Sequence, residues 1–224
     1  MNKLELIFLH TPKAAGRTFS RCLSLQAKMN QLAYARSSGH LHVHRRAESK
    51  LSALARLGEV NKVQVLAGHL PWGVHGLVGM EPNYIVILRE PVSRFVSQLN
   101  FWSERGKIME AENPMHVADD IIDNMQTRQL AGLDGFQRPC DEDMLARAVE
   151  HLHAARFVGI HTDLHRLQAR MEAAFAWDPV QVTNSHVPAN PMYRHIDDEL
   201  FRKLYLRESF DARLHNIAVM LAAQ

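Results

Sequence analysis

Lys13 stands where an anion could be held. The apolar run Leu6-Ile7-Phe8-Leu9 is followed by His10-Thr11-Pro12-Lys13-Ala14-Ala15-Gly16-Arg17-Thr18, and then by an amphipathic segment carrying Phe19, Cys22 and Leu23. Strand, tight loop and helix in that order turn backbone N–H groups and the positive end of a helix toward a ligand. Small residues at Ala14, Ala15 and Gly16 let phosphate oxygens approach the backbone, Lys13 adds a full charge and Thr18 a hydroxyl. The string G-x-x-x-x-G-K-[ST] of the common nucleotide-triphosphate loop is absent, and here the Lys precedes the Gly. A second group follows the apolar run Tyr84 to Leu88. Arg89 ends that strand, Pro91 suits the first turn of a helix, and Ser97 falls on about the second turn, so Arg89 and Ser97 could grip another phosphate. A third candidate is His69, in Gly68-His69-Leu70 at the end of the strand-like run from Val63 to Ala67. Its residue type can take a proton near neutral pH.

Together these segments resemble the cofactor motifs of sulfotransferases that use 3′-phosphoadenosine 5′-phosphosulfate (PAPS), and in particular the carbohydrate-type branch that contains the heparan sulfate 2-O-sulfotransferases. In that branch a His-x-Pro-Lys-x-x-Gly-x-[ST] loop binds the 5′-phosphosulfate, and a Leu-Arg-[DE]-Pro-x-x-Arg-x-x-Ser stretch binds the 3′-phosphate. Both patterns occur here in that order, at His10 to Thr18 and Leu88 to Ser97. Gly68-His69 is similar to the family's Gly-His segment, whose His is the proposed base. Asn124-Met125-Gln126-Thr127-Arg128-Gln129-Leu130-Ala131-Gly132 is similar to its Asn-x-Gln-Thr-Arg-x-Leu-x-Gly stretch. The resemblance is strong from about Leu6 to Gly132 and thinner through Phe157-Val158-Gly159 and Val182 to Ser185. Where the family often has Thr, this chain has Ala14 and Arg17.

The resemblance implies transfer of a sulfuryl group from PAPS to a hydroxyl, of a carbohydrate above all, with no metal. It implies catalytic roles for Lys13 and His69, and cofactor contacts from Lys13, Ala14, Ala15, Gly16, Arg17, Thr18, Arg89 and Ser97. Each residue also has a plainer reading. His69 could be a packing residue at a strand end, His10 could simply shape the loop, and Arg89 could pair with Glu90. Ser93 and Arg94 read as helix surface, with Arg94 also able to support the site. Two rival functions stay open. A kinase on a similar sheet is disfavoured by the missing G-K-[ST] element and the lack of an acidic strand end for Mg²⁺. A non-catalytic nucleotide-binding module is the other.

The elements needed to position these groups can be read from periodicity. Strands are expected at Leu4 to His10, Val63 to Gly68, Tyr84 to Leu88, Arg156 to Ile160 and Val180 to Thr183, mostly apolar without alternation, as for parallel strands covered on both faces. Helices are expected at Arg17 to Met29, Ala47 to Leu57, Val92 to Arg105, Val117 to Leu130, Asp141 to Ala155 and Leu164 to Ala176, with Thr162 or Asp163 as a cap. One or two more fall within Asp197 to Ala223. Alternating strands and helices predict one α/β domain over residues 1–224, a three-layer sandwich on a mostly parallel sheet. The resemblance makes it the P-loop-like sulfotransferase fold. Ligands of such sheets sit at the carboxyl ends of the strands, where His10, Lys13, His69 and Arg89 all fall.

Composition sets outer bounds. A net charge of +2 is too mild to argue for nucleic acid, yet would not oppose an anionic ligand. Cys22 and Cys140 lack metal-ligand spacing, and Cys22 lies on the apolar side of its helix. With no signal-peptide pattern, no membrane-length apolar run and no N-terminal anchor of the kind many family members carry, the expectation is a cytoplasmic enzyme without membrane contact. The acceptor and the oligomeric state are not readable. His40, His42 and His44 alternate, which in a strand would put them on one face as a conceivable metal site; a solvated loop or a basic edge facing the acceptor is the simpler reading. Trp72 and Trp102 are expected in the core by default, with stacking on a sugar or adenine as the alternative. The loop Asn184 to Pro188 is a further candidate for reaching the nucleotide.

Overall fold

The computed structural model describes residues 4–40, 63–108, 120–181 and 196–224. Five strands, β1 (Leu6–Leu9), β2 (Tyr34–His40), β3 (Val65–His69), β4 (Tyr84–Leu88) and β5 (Phe157–Ile160), form one sheet in the order β2-β3-β1-β4-β5. Every neighbouring pair is parallel. Among the described residues the helices are α1 (Gly16–Met29), α2 (Val74–Val78), α3 (Pro91–Ser103), α4 (Met125–Ala131), α5 (Glu142–Ala154), α6 (Leu164–Phe175), α7 (Asp198–Arg207) and α8 (Ser209–Ala222).

The strands are apolar on both sides because both sides are covered. Tyr84, Val86 and Leu88 of β4 pack with Leu145 and Leu152 of α5 and Leu214 and Ala218 of α8. Ile85 and Ile87 point the other way, to Phe19 and Leu23 of α1 and Leu167 and Met171 of α6. Period-two alternation thus feeds two separate cores, and helices on both faces are compatible with the expected three-layer sandwich. A third, smaller core joins Val92, Phe95 and Leu99 of α3 to Leu204 of α7.

Several expected boundaries move. The strand expected at Val180 to Thr183 is not present at Val180 and Gln181, and its remainder lies outside the described residues. Tyr34 to His40, not expected as a strand, is the edge strand β2, and His40 pairs in register with His69. The proposed solvated loop is therefore corrected as far as His40, while His42 and His44 lie outside the described residues. So do the helix expected at Ala47 to Leu57 and the loop Asn184 to Pro188. Of the helix expected at Val117 to Leu130, only α4 is helical among the described residues. Asn124 adopts a left-handed φ of 45°, and its amide N–H donates to the Glu208 carboxylate at 3.0 Å instead of entering a longer helix. The C-terminal segment is two helices broken at Glu208, which spends its carboxylate on that contact and on Arg94. Asp163, not Thr162, caps α6 by accepting from Arg166 N.

Candidate functional site

The carboxyl ends of β1, β3, β4 and β5 open into one cavity of about 760 Å³. Lys13, Arg17, Arg36, Arg89, Arg105 and Lys107 line it with three histidines, His10, His69 and His161; no Asp or Glu is among the described residues that do so. Six cations facing one space, with no carboxylate among its described lining, give it a positive field that suits an anion.

The loop after β1 adds backbone features of the same sign. Lys13 and Ala15 both hold left-handed backbone conformations, at φ 67° and 58°, alternating along the turn as in an anion-binding nest. Ala15 stands at the N-cap of α1, no side chain caps the helix, and no acidic residue occupies its first turn. The first-turn amides have no intrahelical acceptor by construction, so the positive end of α1 faces the cavity at Gly16, Arg17 and Thr18. Gly16 is needed for a close approach: a Cβ there would lie 1.6 Å from His10 Cδ2. Ala14 differs from expectation. It is buried, does not line the cavity, and its N–H donates to Thr11 O at 3.2 Å within the turn. Its contribution is to close the loop.

The Lys13 ammonium lies 4.4 Å from the centre of the Phe101 ring, a cation–π contact. Burial first, then the neighbouring Arg17 and Arg89, lower its pKa to about 8 against an opposing Glu104. Arg89 is tethered at two points: Nη1 donates to Lys13 O at 3.0 Å and Nε to Ser93 Oγ at 2.8 Å. Three of its five N–H groups remain for other acceptors. Glu90, the alternative partner of Arg89, instead caps α3 by accepting from Val92 N and Ser93 N. Ser97 lines the cavity on α3, and Phe101 and Arg105 follow at four-residue spacing. The Lys13 loop and the Arg89–Ser97 pair thus line one space.

His69 comes to the same cavity from β3. Its Nδ1 lies 2.6 Å from the backbone carbonyl of His10, and the two imidazole centres are 4.2 Å apart. A carbonyl oxygen only accepts, so Nδ1 carries the hydrogen, and in a neutral ring Nε2 is then the nitrogen that accepts. His10 is 5% exposed and stacks on Phe8 at 5.8 Å, which fits its reading as a loop-shaping residue. His161, at the end of β5, was not singled out from sequence. Burial, with help from Arg89, pushes its pKa down to about 4, so it stays neutral near physiological pH.

The Asn124–Gly132 stretch does not line the cavity but holds it together. Gln126 brackets the Arg89 peptide: its Oε1 accepts from Arg89 N at 2.8 Å and its Nε2 donates to Arg89 O at 2.9 Å. Gln129 reaches the ends of β1 and β3, through Thr11 and Leu70. Asp211, fully buried, accepts from the N–H of Gln126 and of Thr127 and from Thr127 Oγ1. Arg94, expected on the helix surface, is 1% exposed; its Nη2 donates to Glu208 at 3.2 Å and its Nε lies 4.0 Å from Asp211. Burial raises the pKa of Glu208, with Arg94 opposing the shift.

Trp72 stacks in the core on Tyr84 and His151, whereas Trp102 lines the cavity. Cys22 is buried, and burial raises its thiol pKa to about 12. Among the described residues, no group of three or more His, Cys, Asp or Glu side chains could hold a metal ion, and no helix is long and apolar enough to cross a membrane.

Compared with known proteins, the chain matches no family model and no curated protein sequence.

Proposed function

We propose that the protein is a sulfotransferase that moves a sulfuryl group from PAPS to a hydroxyl acceptor, a carbohydrate first of all, and releases adenosine 3′,5′-bisphosphate. One observation carries this reading: the Lys13 loop with the uncapped start of α1 and the Arg89–Ser97 pair face, from different strands, one cavity whose described lining holds no carboxylate. Two separate anion-binding groups suit a nucleotide with phosphates at both ends of its ribose. The absence of Asp and Glu from the described lining disfavours a kinase, which would need carboxylates for Mg²⁺. The strand order, with the phosphate loop after the central β1, supports a P-loop-like sulfotransferase fold.

In this mechanism the amides of the α1 start, Lys13 and Thr18 hold the 5′-phosphosulfate, and Arg89 and Ser97 hold the 3′-phosphate. His69 Nε2 takes the proton from the acceptor hydroxyl as the new O–S bond forms. Lys13 stabilises the negative charge that gathers on the phosphate oxygen as its bond to sulfur breaks, an effect enlarged where water is sparse. Calorimetry with adenosine 3′,5′-bisphosphate, AMP and ATP tests the reading. The bisphosphate should bind far more tightly than AMP, and equal affinities would refute a dedicated 3′-phosphate site.

A further inference from the structure

The ladder between β1 and β3 ends with His10 N donating to Gly68 O at 2.8 Å. Beyond that bond the two chains are joined by a side chain. Gln129, 1% exposed on α4, accepts at Oε1 from Thr11 Oγ1 at 2.9 Å and donates from Nε2 to Leu70 O at 2.7 Å. The carbonyl of Leu70 can only accept, which fixes the orientation of the carboxamide and makes the Thr11 hydroxyl the donor. The main chain of Gln129 is fixed too, because its carbonyl accepts from Trp72 N at 2.9 Å. Thr11 directly follows His10, and Leu70 directly follows His69. The Gln129 bridge therefore sets the spacing of the two segments one residue beyond the 2.6 Å contact between His69 Nδ1 and the His10 carbonyl.

We propose that Gln129 is a positioning residue: by tying Thr11 to Leu70 it locks His69 in the Nδ1–H tautomer and so presents Nε2 as the proton acceptor of the site. The catalytic meaning of this lock rests on the reading of His69 as the general base. The lock itself does not, because it is a property of the ligand-free protein. Gln129 does not itself line the cavity; it acts on the site through Thr11 and Leu70, which flank His10 and His69. Neighbouring Gln126 performs a parallel task on the phosphate side, at Arg89.

The test is the tautomer of His69, read from long-range ¹H–¹⁵N correlation spectra of the imidazoles, with the His69 signals assigned by their loss in His69→Gln. The native protein should show the Nδ1–H form. Gln129→Met, similar in length but unable to bridge, should show a mixture of both tautomers. Thr11→Val, which removes only the hydroxyl, should shift the population in the same direction by less, and it carries the test if Gln129→Met does not fold. Affinity for adenosine 3′,5′-bisphosphate, measured by calorimetry on the same samples, should stay within about threefold of the native value, because the phosphate side keeps its contacts. An unchanged Nδ1–H tautomer in the folded variants overturns the proposal. So does a loss of bisphosphate affinity as large as the tautomer change, which would mark Gln129 as general support for the cavity. If the native protein binds no bisphosphate but the tautomer still shifts on substitution, the proposed function fails and the positioning role stands.

Discussion

Raising the pH through about 8 should remove charge from Lys13 and weaken anion binding by a calculable amount. In the ligand-free protein burial, Arg17 and Arg89 hold the Lys13 ammonium at a pKa of about 8. A bound phosphate between those cations reverses the balance and returns the pKa toward the ordinary value of 10.5. Below about pH 7 the free protein is already protonated and nothing is gained. By about pH 9 only about a tenth of it is, so the dissociation constant for adenosine 3′,5′-bisphosphate should rise about tenfold, or about 1.4 kcal/mol, across that interval. The second ionisation of the phosphates, centred near pH 6, is nearly complete by about pH 7 and contributes little above it. His161, at about 4, and the two thiols, each at about 12, do not change charge there either. Stability should move the opposite way. The unfolded chain binds the Lys13 proton up to the ordinary value while the folded chain releases it near 8, so the ligand-free fold gains stability as pH rises between the two. The assay is calorimetric titration at several pH values for the native protein and Lys13→Met. A flat native profile, or the same slope in Lys13→Met, would refute the placement of Lys13 against the phosphate.

Arg89→Ala should weaken adenosine 3′,5′-bisphosphate binding by about 10- to 100-fold while changing AMP little, since charge-assisted contacts to one phosphate are lost; competition binding with both nucleotides decides it, and equal losses would place Arg89 elsewhere. Gly16→Ala should lower the melting temperature, because the added methyl meets the His10 ring at 1.6 Å and overpacking costs about 1–3 kcal/mol; an unchanged melting temperature would contradict the close approach. Arg94→Met should destabilise the protein by about 3–5 kcal/mol in urea denaturation, because it leaves Asp211 buried without its cation and Glu208 with Arg207 alone; a loss under about 1 kcal/mol would show that the cluster is not charged as drawn.

The parts of the site carried by local chain geometry were legible in the sequence. A strand running into a small-residue loop and a helix fixes where Lys13 and Thr18 must lie, and Arg89-Glu90-Pro91 marks both a strand end and a helix start. Neither depends on what packs nearby. What stayed hidden depends on distant partners. Arg94 read as surface because nothing near it in sequence shows that Glu208 and Asp211 close over it, more than a hundred residues later. Tyr34 to His40 gave no strand signal because Arg36, Ser37 and Ser38 break any apolar pattern, yet an edge strand needs only one paired neighbour, here β3. Ala14 read as a cradle residue from its size, although the turn uses its N–H internally. Phe101 and Arg105 could have been found, since with Ser97 they recur at four-residue spacing along α3 and into the turn that follows it.

The cavity concentrates features that oppose folding. Lys13 and Ala15 hold left-handed conformations without being glycine, at about 1–2 kcal/mol each, α1 begins without a side-chain cap, and six cations repel one another. The stabilising groups lie on the far side of the strand ends, away from the ligand. Gln126 and Gln129 fasten three strand ends from one face of α4, Asp211 takes up the two N–H groups at the start of that helix, and Asn124 Oδ1 accepts from Phe210 N and Asp211 N at the start of α8. The arrangement separates two tasks. The uncapped α1 start and the left-handed Lys13 turn can be kept facing the cavity because a hydrogen-bonded layer behind them fixes the strand ends. Ligand binding should therefore raise stability chiefly by relieving the Lys13 loop and the start of α1, while the α4 layer stays as it is.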